Sequence, residues 1–151
     1  MSLSVTGIFD AMVSHVAASG RFDRVEEHEP RNAPGTGVSA ALWVQSVEPI
    51  RSSGLTATSG RVEVSIRIYI EATADPDDRV DRALLEATDT LLTAYSGDFT
   101  LGDQIRSVDL LGSYGVPLSA QGGYLKQDNA LYRVMVLTVP LIVNDIWSQS
   151  P

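Results

Sequence analysis

A strict alternation of apolar and polar residues between positions 61 and 72 constrains the fold more than any other part of the sequence. Every second position carries a β-branched residue, and the positions between them are mostly polar or charged. The apolar set is Val62, Val64, Ile66, Ile68 and Ile70. Because successive side chains of a strand point to opposite faces of a sheet, this pattern predicts a long strand. One face of that strand belongs to a core, and the other meets solvent or a partner.

Two helices are predicted, one on each side of that strand in the sequence. The first runs from about residue 4 to residue 19, carries an apolar stripe at helical spacing, and ends at Gly20. The second begins at Asp-Pro-Asp-Asp, residues 75–78, because an Asx cap, a proline and carboxylates all favour a helix start. It runs to about Tyr95, and its apolar stripe is wide enough to lie on a sheet.

The remaining segments favour strands. Residues 22–29 form a weak candidate, and residues 39–47 a stronger one that ends before Pro49. Residues 98–111 are expected to be extended, and residues 114–126 and 131–143 to form a long hairpin. Pro140 lacks an N–H group, so it places the end of the last strand at an edge or bulge. The order α-β-β-β-α-β-β-β predicts an α+β domain with a mostly antiparallel sheet and two helices packed on one face.

Composition limits the chemistry. The chain has 151 residues, which is one domain's worth, and no cysteine, so disulfides and thiolate sites are excluded. A net charge of −8 argues against a protein that binds the phosphate backbone of nucleic acids. The first residues lack the features of a signal peptide, and the longest apolar-rich run is too short for a membrane span. We therefore expect a soluble protein made in a cytoplasm.

No constellation of residues predicts catalysis, a metal site or a cofactor. The aspartates at 75, 77, 78 and 81 lack the spacing of a calcium-binding EF-hand loop, and a helix cap explains them. The acidic run at 26–29 around His28 has only His15 as a second histidine, and fits a solvated edge. A Gly-x-Ser-x-Gly elbow is missing. The glycine-rich corner at 112–115 around Tyr114 is either a structural turn or a loop shaped for a neighbouring subunit.

The last third of the chain carries a family resemblance. It contains Gly97-Asp-Phe-Thr-Leu-Gly, Gly112-Ser-Tyr-Gly-Val-Pro-Leu-Ser, Gly123-Tyr-Leu, Tyr132-Arg-Val-Met and Val139-Pro-Leu-Ile-Val-Asn-Asp-Ile-Trp147. Together with the order of elements, these segments resemble the tail terminator proteins of long-tailed bacteriophages, also called minor tail or tail-completion proteins. The similarity is close over the last third and architectural elsewhere.

The resemblance implies a structural protein of the virion. Such proteins form a hexameric ring on the head-proximal end of the tail tube, stop tube polymerisation and present a surface to the head connector. The implied partners are further copies of the chain, the tail tube protein and the head–tail connector. No association with a membrane is implied. The resemblance also implies assembly in the host cytoplasm, no enzymatic activity and no cofactor.

A ring requires an interface between copies and a lumen. The candidate interface residues are Arg31, Trp43, Arg67, Tyr69, Tyr114 and Trp147. The candidate lumen residues are Glu26, Glu27, Glu29, Asp75, Asp77 and Asp78. Six copies carry six times the charge of −8, and an acidic lumen would repel DNA phosphates and let the genome slide without specific binding.

A flexible arm near residues 30–37 and a C-terminal tail at 144–151 are expected to be disordered in a single copy and to become ordered against neighbours. Other function classes stay open. The chain could be another neck or connector component, or the tail tube subunit, which polymerises into long tubes where a terminator stops at a ring. A small ligand-binding α+β domain and a dimeric regulatory domain are further alternatives.

Overall fold

The computed structural model describes residues 4–28, 37–51, 56–71 and 79–150. Over these residues the chain forms two helices and six strands in the order α-β-β-β-α-β-β-β. The elements are α1 (Val5–Ala18), β1 (Arg24–Glu26), β2 (Val38–Pro49), β3 (Ala57–Glu71), α2 (Val80–Gly97), β4 (Ser107–Val108), β5 (Ser119–Gln127) and β6 (Ala130–Ser148). The predicted α+β class and order of elements are confirmed.

The strands form one sheet in the order β1-β2-β3-β6-β4, and β5 also pairs with β6. Only β1 and β2 pair in parallel, while the other pairs are antiparallel. The long strands β3 and β6 form the centre, in a register that runs from Glu71 opposite Tyr132 to Ala57 opposite Ser148. Strands β4 and β5 share the outer edge of β6, because β4 pairs near Leu141 and β5 begins opposite Thr138.

Both helices pack on the same face of the sheet, as predicted. The alternating apolar residues of β3 form the floor of this core, and α1 and α2 cover it with residues such as Met12 and Leu91. The Tyr95 hydroxyl on α2 donates a hydrogen bond of 2.9 Å to the Met12 carbonyl on α1. Burying this apolar surface supplies the main driving force for folding, at about 25 cal/mol per Å².

The other face of the sheet, called here the helix-free face, carries the polar side chains of β3. A small cluster of Ala41, Tyr69, Tyr132 and Val134 is buried on it. Neither of the two described helices packs against this face. Neither of them has the length and hydropathy that a membrane span requires.

Residues 98–111 differ from the extended segment that the sequence predicts. Residues 98–104 form successive turns, and only Ser107–Val108 belong to a strand. The Asp98 carboxylate accepts a hydrogen bond of 3.0 Å from the Gly102 amide, and Leu101 and Asp103 have positive φ angles of 49° and 66°. Local side-chain-to-backbone hydrogen bonding therefore overrides the apolar pattern.

Strand β6 runs beyond residue 143, where the sequence predicts its end, and Pro140 lies inside it. It lies mid-strand, opposite Glu63, and β6 continues to Ser148. Its carbonyl accepts a hydrogen bond of 2.9 Å from the Asp109 amide, so its N atom faces the same outer side, between the β4 and β5 pairings. The missing N–H therefore removes no hydrogen bond between β6 and β3.

The β5–β6 hairpin is present, and a two-residue turn at Asp128-Asn129 connects its strands. Both turn residues have positive φ angles, 51° and 65°, as a type I′ turn requires. At the far end of β6, residues 144–148 belong to the strand rather than to a free tail, and the Gln149 amide donates to the Thr56 carbonyl at 2.8 Å. Most of the predicted arm at 30–37 and the predicted helix start at 75–78 lie outside the described residues.

Candidate subunit interface

Three of the candidate interface residues meet on the helix-free face. The sheet register places Ala41 of β2 opposite Arg67 of β3, which brings Trp43 next to Arg67. The Arg67 guanidinium carbon lies 4.9 Å from the centre of the Trp43 ring and 5.8 Å from that of Tyr69. Arg67 Nη1 also donates to the Tyr69 hydroxyl at 3.2 Å. The sequence therefore builds an ordered aromatic–arginine cluster, defined by Trp43, Arg67 and Tyr69.

The three members of this cluster differ in exposure. Tyr69 is only 1% exposed and packs edge-on against Tyr132, with 6.3 Å between ring centres. Trp43 and Arg67 are half-buried, so they can still be reached from outside. In a single copy Tyr69 is therefore the buried member of the cluster, whereas Trp43 and Arg67 remain partly accessible to a partner.

Tyr114 lies in a loop between β4 and β5 that a buried carboxylate organises. Asp109 is 5% exposed, and its two oxygens accept hydrogen bonds from the amides of Ser113 at 2.7 Å and Tyr114 at 2.9 Å. The Arg106 guanidinium carbon lies 5.9 Å from the centre of the Tyr114 ring. Hydrogen bonds to a charged acceptor are among the stronger ones in proteins, so this loop has a defined conformation.

Arg61 holds the same loop from the sheet side. Its guanidinium is buried, donates to the Val116 carbonyl at 2.9 Å, and lies 3.4 Å from a Glu63 oxygen. A Cβ atom at Gly115 would lie 3.1 Å from the guanidinium carbon, so the absence of a side chain there allows the close approach. Two buried charged residues, Asp109 and Arg61, thus both hold the loop in place.

The sequence prediction missed Asp109, Arg61 and the residue that this loop exposes. This residue is Leu111, which is 91% exposed although Asp109, two residues before it, is buried. An aspartate closely followed by a glycine-rich corner was the available signal, since such carboxylates often accept hydrogen bonds from following amides. Arg61 could not be found this way, because the Val116 carbonyl to which it donates lies 55 residues away in the sequence.

Trp147 is separate from the aromatic–arginine cluster. It pairs with Thr58 near the start of β3, beside an irregularity of the β3–β6 ladder. A Cβ atom at Gly60 would lie 2.9 Å from the Trp147 ring, so the half-buried indole lies directly over this glycine. Its first role is therefore to cover the end of the sheet.

The structure describes only some of the predicted lumen residues. Glu26 is half-buried on β1 and lies 3.4 Å from Arg24 Nε, and Glu27 is exposed. The other four acidic candidates, and Arg31 of the interface, lie outside the described residues. The acidic lumen therefore stays a prediction.

A contact between two titrating groups links α1 to the residue that follows α2. His15 Nε2 on α1 and Asp98 Oδ2 after α2 lie 2.8 Å apart, and the Tyr95 ring meets His15 edge-on. The hydrogen bond from the Gly102 amide, followed by the one with His15, lowers the pKa of Asp98, while burial raises the pKa of Tyr95. Over the described ranges no group of three or more His, Asp or Glu residues is placed to hold a metal ion.

Comparison with known proteins gives structural likenesses only. No protein-family profile and no curated protein matches the chain. Among solved structures, it is similar to a chain of the virion of the native gene transfer agent particle, at 12% identity and a TM-score of 0.38, covering 88% of this chain and 92% of that one. It is also similar to the sheath/tube terminator of an extracellular contractile injection system, PVC, in the extended state. That likeness has 15% identity and a TM-score of 0.40, and covers 99% of this chain and 60% of that one. Both TM-scores lie below 0.5, so neither likeness indicates a function for this chain.

Proposed function

We propose that the chain is a structural subunit of a phage-like tail, which assembles into a closed ring at the head-proximal end of the tail tube. There the ring ends tube polymerisation and joins the tail to the head connector. In this role the chain has no catalytic activity, and a hexamer is the expected ring. This assignment is supported by the resemblance of the last third of the sequence and by the helix-free face of the sheet, which the two described helices leave uncovered.

The aromatic–arginine cluster on the helix-free face is the observation that carries the proposal. Trp, Tyr and Arg are the residue types that dominate binding energy at protein interfaces. Here Trp43 and Arg67 are already held in contact at 4.9 Å, so little conformational entropy is lost when a partner covers them. An ordered cluster on a face that the described helices leave uncovered fits a contact between subunits.

Native mass, measured over a range of protein concentrations and salt, with negative-stain imaging of the same samples, tests the proposal. We expect a closed ring, or a monomer that becomes a single ring when tail tubes are added. Open tubes would instead identify a tube subunit. A monomer or dimer that is indifferent to tubes would contradict a tail function and favour a ligand-binding domain.

A further inference from the structure

Strand β5 leaves one side of its backbone unpaired. It runs from Ser119 to Gln127 and pairs only with β6, so no described strand lies along its outer edge. Its register with β6 is regular, and it contains no proline and a single charged residue, Lys126. Natural sheets usually protect an open edge with proline, bulges or charged side chains. A long edge with so little protection indicates pairing with a further strand.

The second half of β2 forms another open edge, on the opposite side of the sheet. Strand β1 pairs with β2 only at residues 39–41, which leaves residues 42–49 without a described strand on their outer side. The strands β2, β3, β6 and β5 alternate in direction, so β5 runs antiparallel to β2. Placing β5 of one copy beside β2 of another therefore continues the antiparallel sheet, with the helices of both copies on the same face.

The backbone groups that point outward can be assigned on both edges. The Ile142 and Pro140 carbonyls of β6 accept hydrogen bonds from the amides of residues 106 and 109, which flank β4. Even-numbered residues of β6 therefore direct their backbone groups toward β4 and β5, and alternation along the ladders assigns the other strands. The outward-pointing groups belong to Ala120, Gly122, Tyr124 and Lys126 on β5, and to Leu42, Val44 and Val47 on β2.

Exposed side chains accompany these outward-pointing groups on both edges. Val44 and Val47 on β2 are 41% and 45% exposed, and Tyr124 on β5 is 68% exposed. All three lie on the face that the helices cover: the valines pair with the core positions 64 and 62 of β3, and Tyr124 stacks at 4.8 Å on Arg133, which binds α2. Side chains of neighbouring strands on one face contact each other, so pairing the two edges brings these residues together.

We propose that β5 of one copy pairs antiparallel with residues 42–49 of β2 in the next copy, so that one sheet runs through both. Tyr124 then packs against Val44 and Val47 of the neighbour. Trp43 belongs to the same edge of β2 on the helix-free face, so β5 of the other copy lies beside the aromatic–arginine cluster. The contact joins two different edges, and such a head-to-tail contact closes into a ring when its rotation allows. This inference rests on the proposed self-assembly and names the strand that meets the cluster.

Disulfide trapping tests the pairing, because the chain has no native cysteine. Tyr124→Cys is mixed with Val44→Cys and, separately, with Val47→Cys under assembling conditions and oxidised. Opposite residues of antiparallel strands have Cα atoms about 5.5 Å apart, which is within reach of a disulfide. We expect a covalent dimer in at least one mixture, which also gives the register, and none from any variant alone. The matched control replaces Tyr124→Cys by Leu85→Cys, at a leucine of α2 that is 64% exposed, and should give no dimer.

Amide hydrogen exchange of the wild-type protein measures the backbone pairing itself. The seven outward-pointing residues assigned above should exchange quickly in a single copy. In the assembly their exchange should slow by at least about tenfold, because each amide gains a partner or is shielded from water. The Leu111 amide, in a loop far from both edges in the sequence, serves as the control and should exchange equally fast in both states.

The outcomes separate the edge contact from the ring. Closed rings whose edge amides exchange as fast as in a single copy, without a crosslink in either mixture, would overturn the edge contact and leave the ring proposal intact. A crosslink from Tyr124→Cys alone would mean that β5 pairs with β5 of a second copy, which overturns the head-to-tail contact. Crosslinks in the mixtures from open chains would support the edge contact and overturn the ring. A protein that neither assembles nor crosslinks would overturn both.

Discussion

Asp109 shows how a single residue can fix a loop. Its carboxylate accepts two amide hydrogen bonds. Its own amide donates to the Pro140 carbonyl at 2.9 Å, and its carbonyl accepts from the Leu118 amide at 3.3 Å. The side chain therefore organises the residues after it, while the backbone ties the loop to β6. Removing only the carboxylate would leave the Ser113 and Tyr114 amides without their acceptor.

We expect Asp109→Ala to lower the free energy of unfolding by about 3 kcal/mol, since hydrogen bonds to a charged group contribute about 1.5–3 kcal/mol each. Urea unfolding measures this loss, and the Ser113 and Tyr114 amides should exchange hydrogen faster in the native state. Asp89→Ala, at an exposed aspartate of α2, should stay within about 0.5 kcal/mol of the wild type. Equal losses in the two variants would contradict the role of Asp109.

Asp98 gives a prediction about acid stability. The Gly102 amide, and then His15, favour the charged carboxylate and hold the pKa of Asp98 below its usual value. The unfolded chain therefore binds a proton at higher pH than the folded chain. The stabilisation is present above the unfolded pKa, near pH 4, and is lost as the pH falls through the folded pKa.

We expect Asp98→Asn to reduce the fall in Tm between about pH 5 and about pH 2.5, because the variant has no carboxylate to protonate at this position. Thermal melts at half-unit pH steps provide the measurement. Asp103→Asn is the matched control, because Asp103 is exposed and asparagine tolerates its positive φ of 66°. A Tm profile of Asp98→Asn that falls as steeply as that of the control would refute the role of Asp98.

At the scale of elements, β3 contributes side chains to both faces of the sheet. Its residues at 62, 64, 66, 68 and 70 are buried against the helices. On the helix-free face, Arg67 lies four residues from Glu63 and four from Glu71, with Ser65 and Tyr69 as its nearest same-face neighbours along the strand. Arg61 lies 3.4 Å from Glu63 on the same face but is buried, so Arg67 is the positive charge that β3 presents on the surface that we propose meets another subunit.

We expect Arg67→Glu to weaken assembly while the fold stays intact, because it reverses the charge of this half-buried side chain and removes the stacking on Trp43. Sedimentation would show the shift toward monomer, and circular dichroism the retained fold, with a stability loss of about 1 kcal/mol from the lost cation–π contacts. Arg82→Glu makes the same charge change at an exposed position of α2 and is the control. Unchanged assembly of Arg67→Glu would exclude this face from the contact.

The same elements show what the sequence could predict. Strand β3 and helix α2 were predictable because one period dominates each of them, and burial on the core face enforces that period. The turns at 98–104 and the position of Pro140 were not predictable, because both depend on single hydrogen bonds rather than on a pattern. The residues of the aromatic–arginine cluster could be predicted from their types alone. The contacts of Arg61 and the exposure of Leu111 could not, because they depend on segments that are distant in the sequence.

At the scale of the whole molecule, net charge opposes assembly. Each copy carries −8, so copies that approach one another repel before any apolar contact forms. The contact proposed on the helix-free face is short-range, because it is a stacked cluster with a single charged group. This contact does not gain its strength from long-range attraction between copies.

Salt should therefore promote assembly. Raising NaCl from about 50 mM to about 500 mM shortens the screening length to a few ångströms and removes the repulsion between copies, while apolar burial is retained. We expect the concentration at half-assembly to fall several-fold, and to fall further for Arg67→Glu, whose copies are more negative. Analytical ultracentrifugation at four or so salt concentrations would measure both trends. Dissociation of the assembly by salt would mean that ion pairs between copies, rather than the stacked cluster, hold the assembly together.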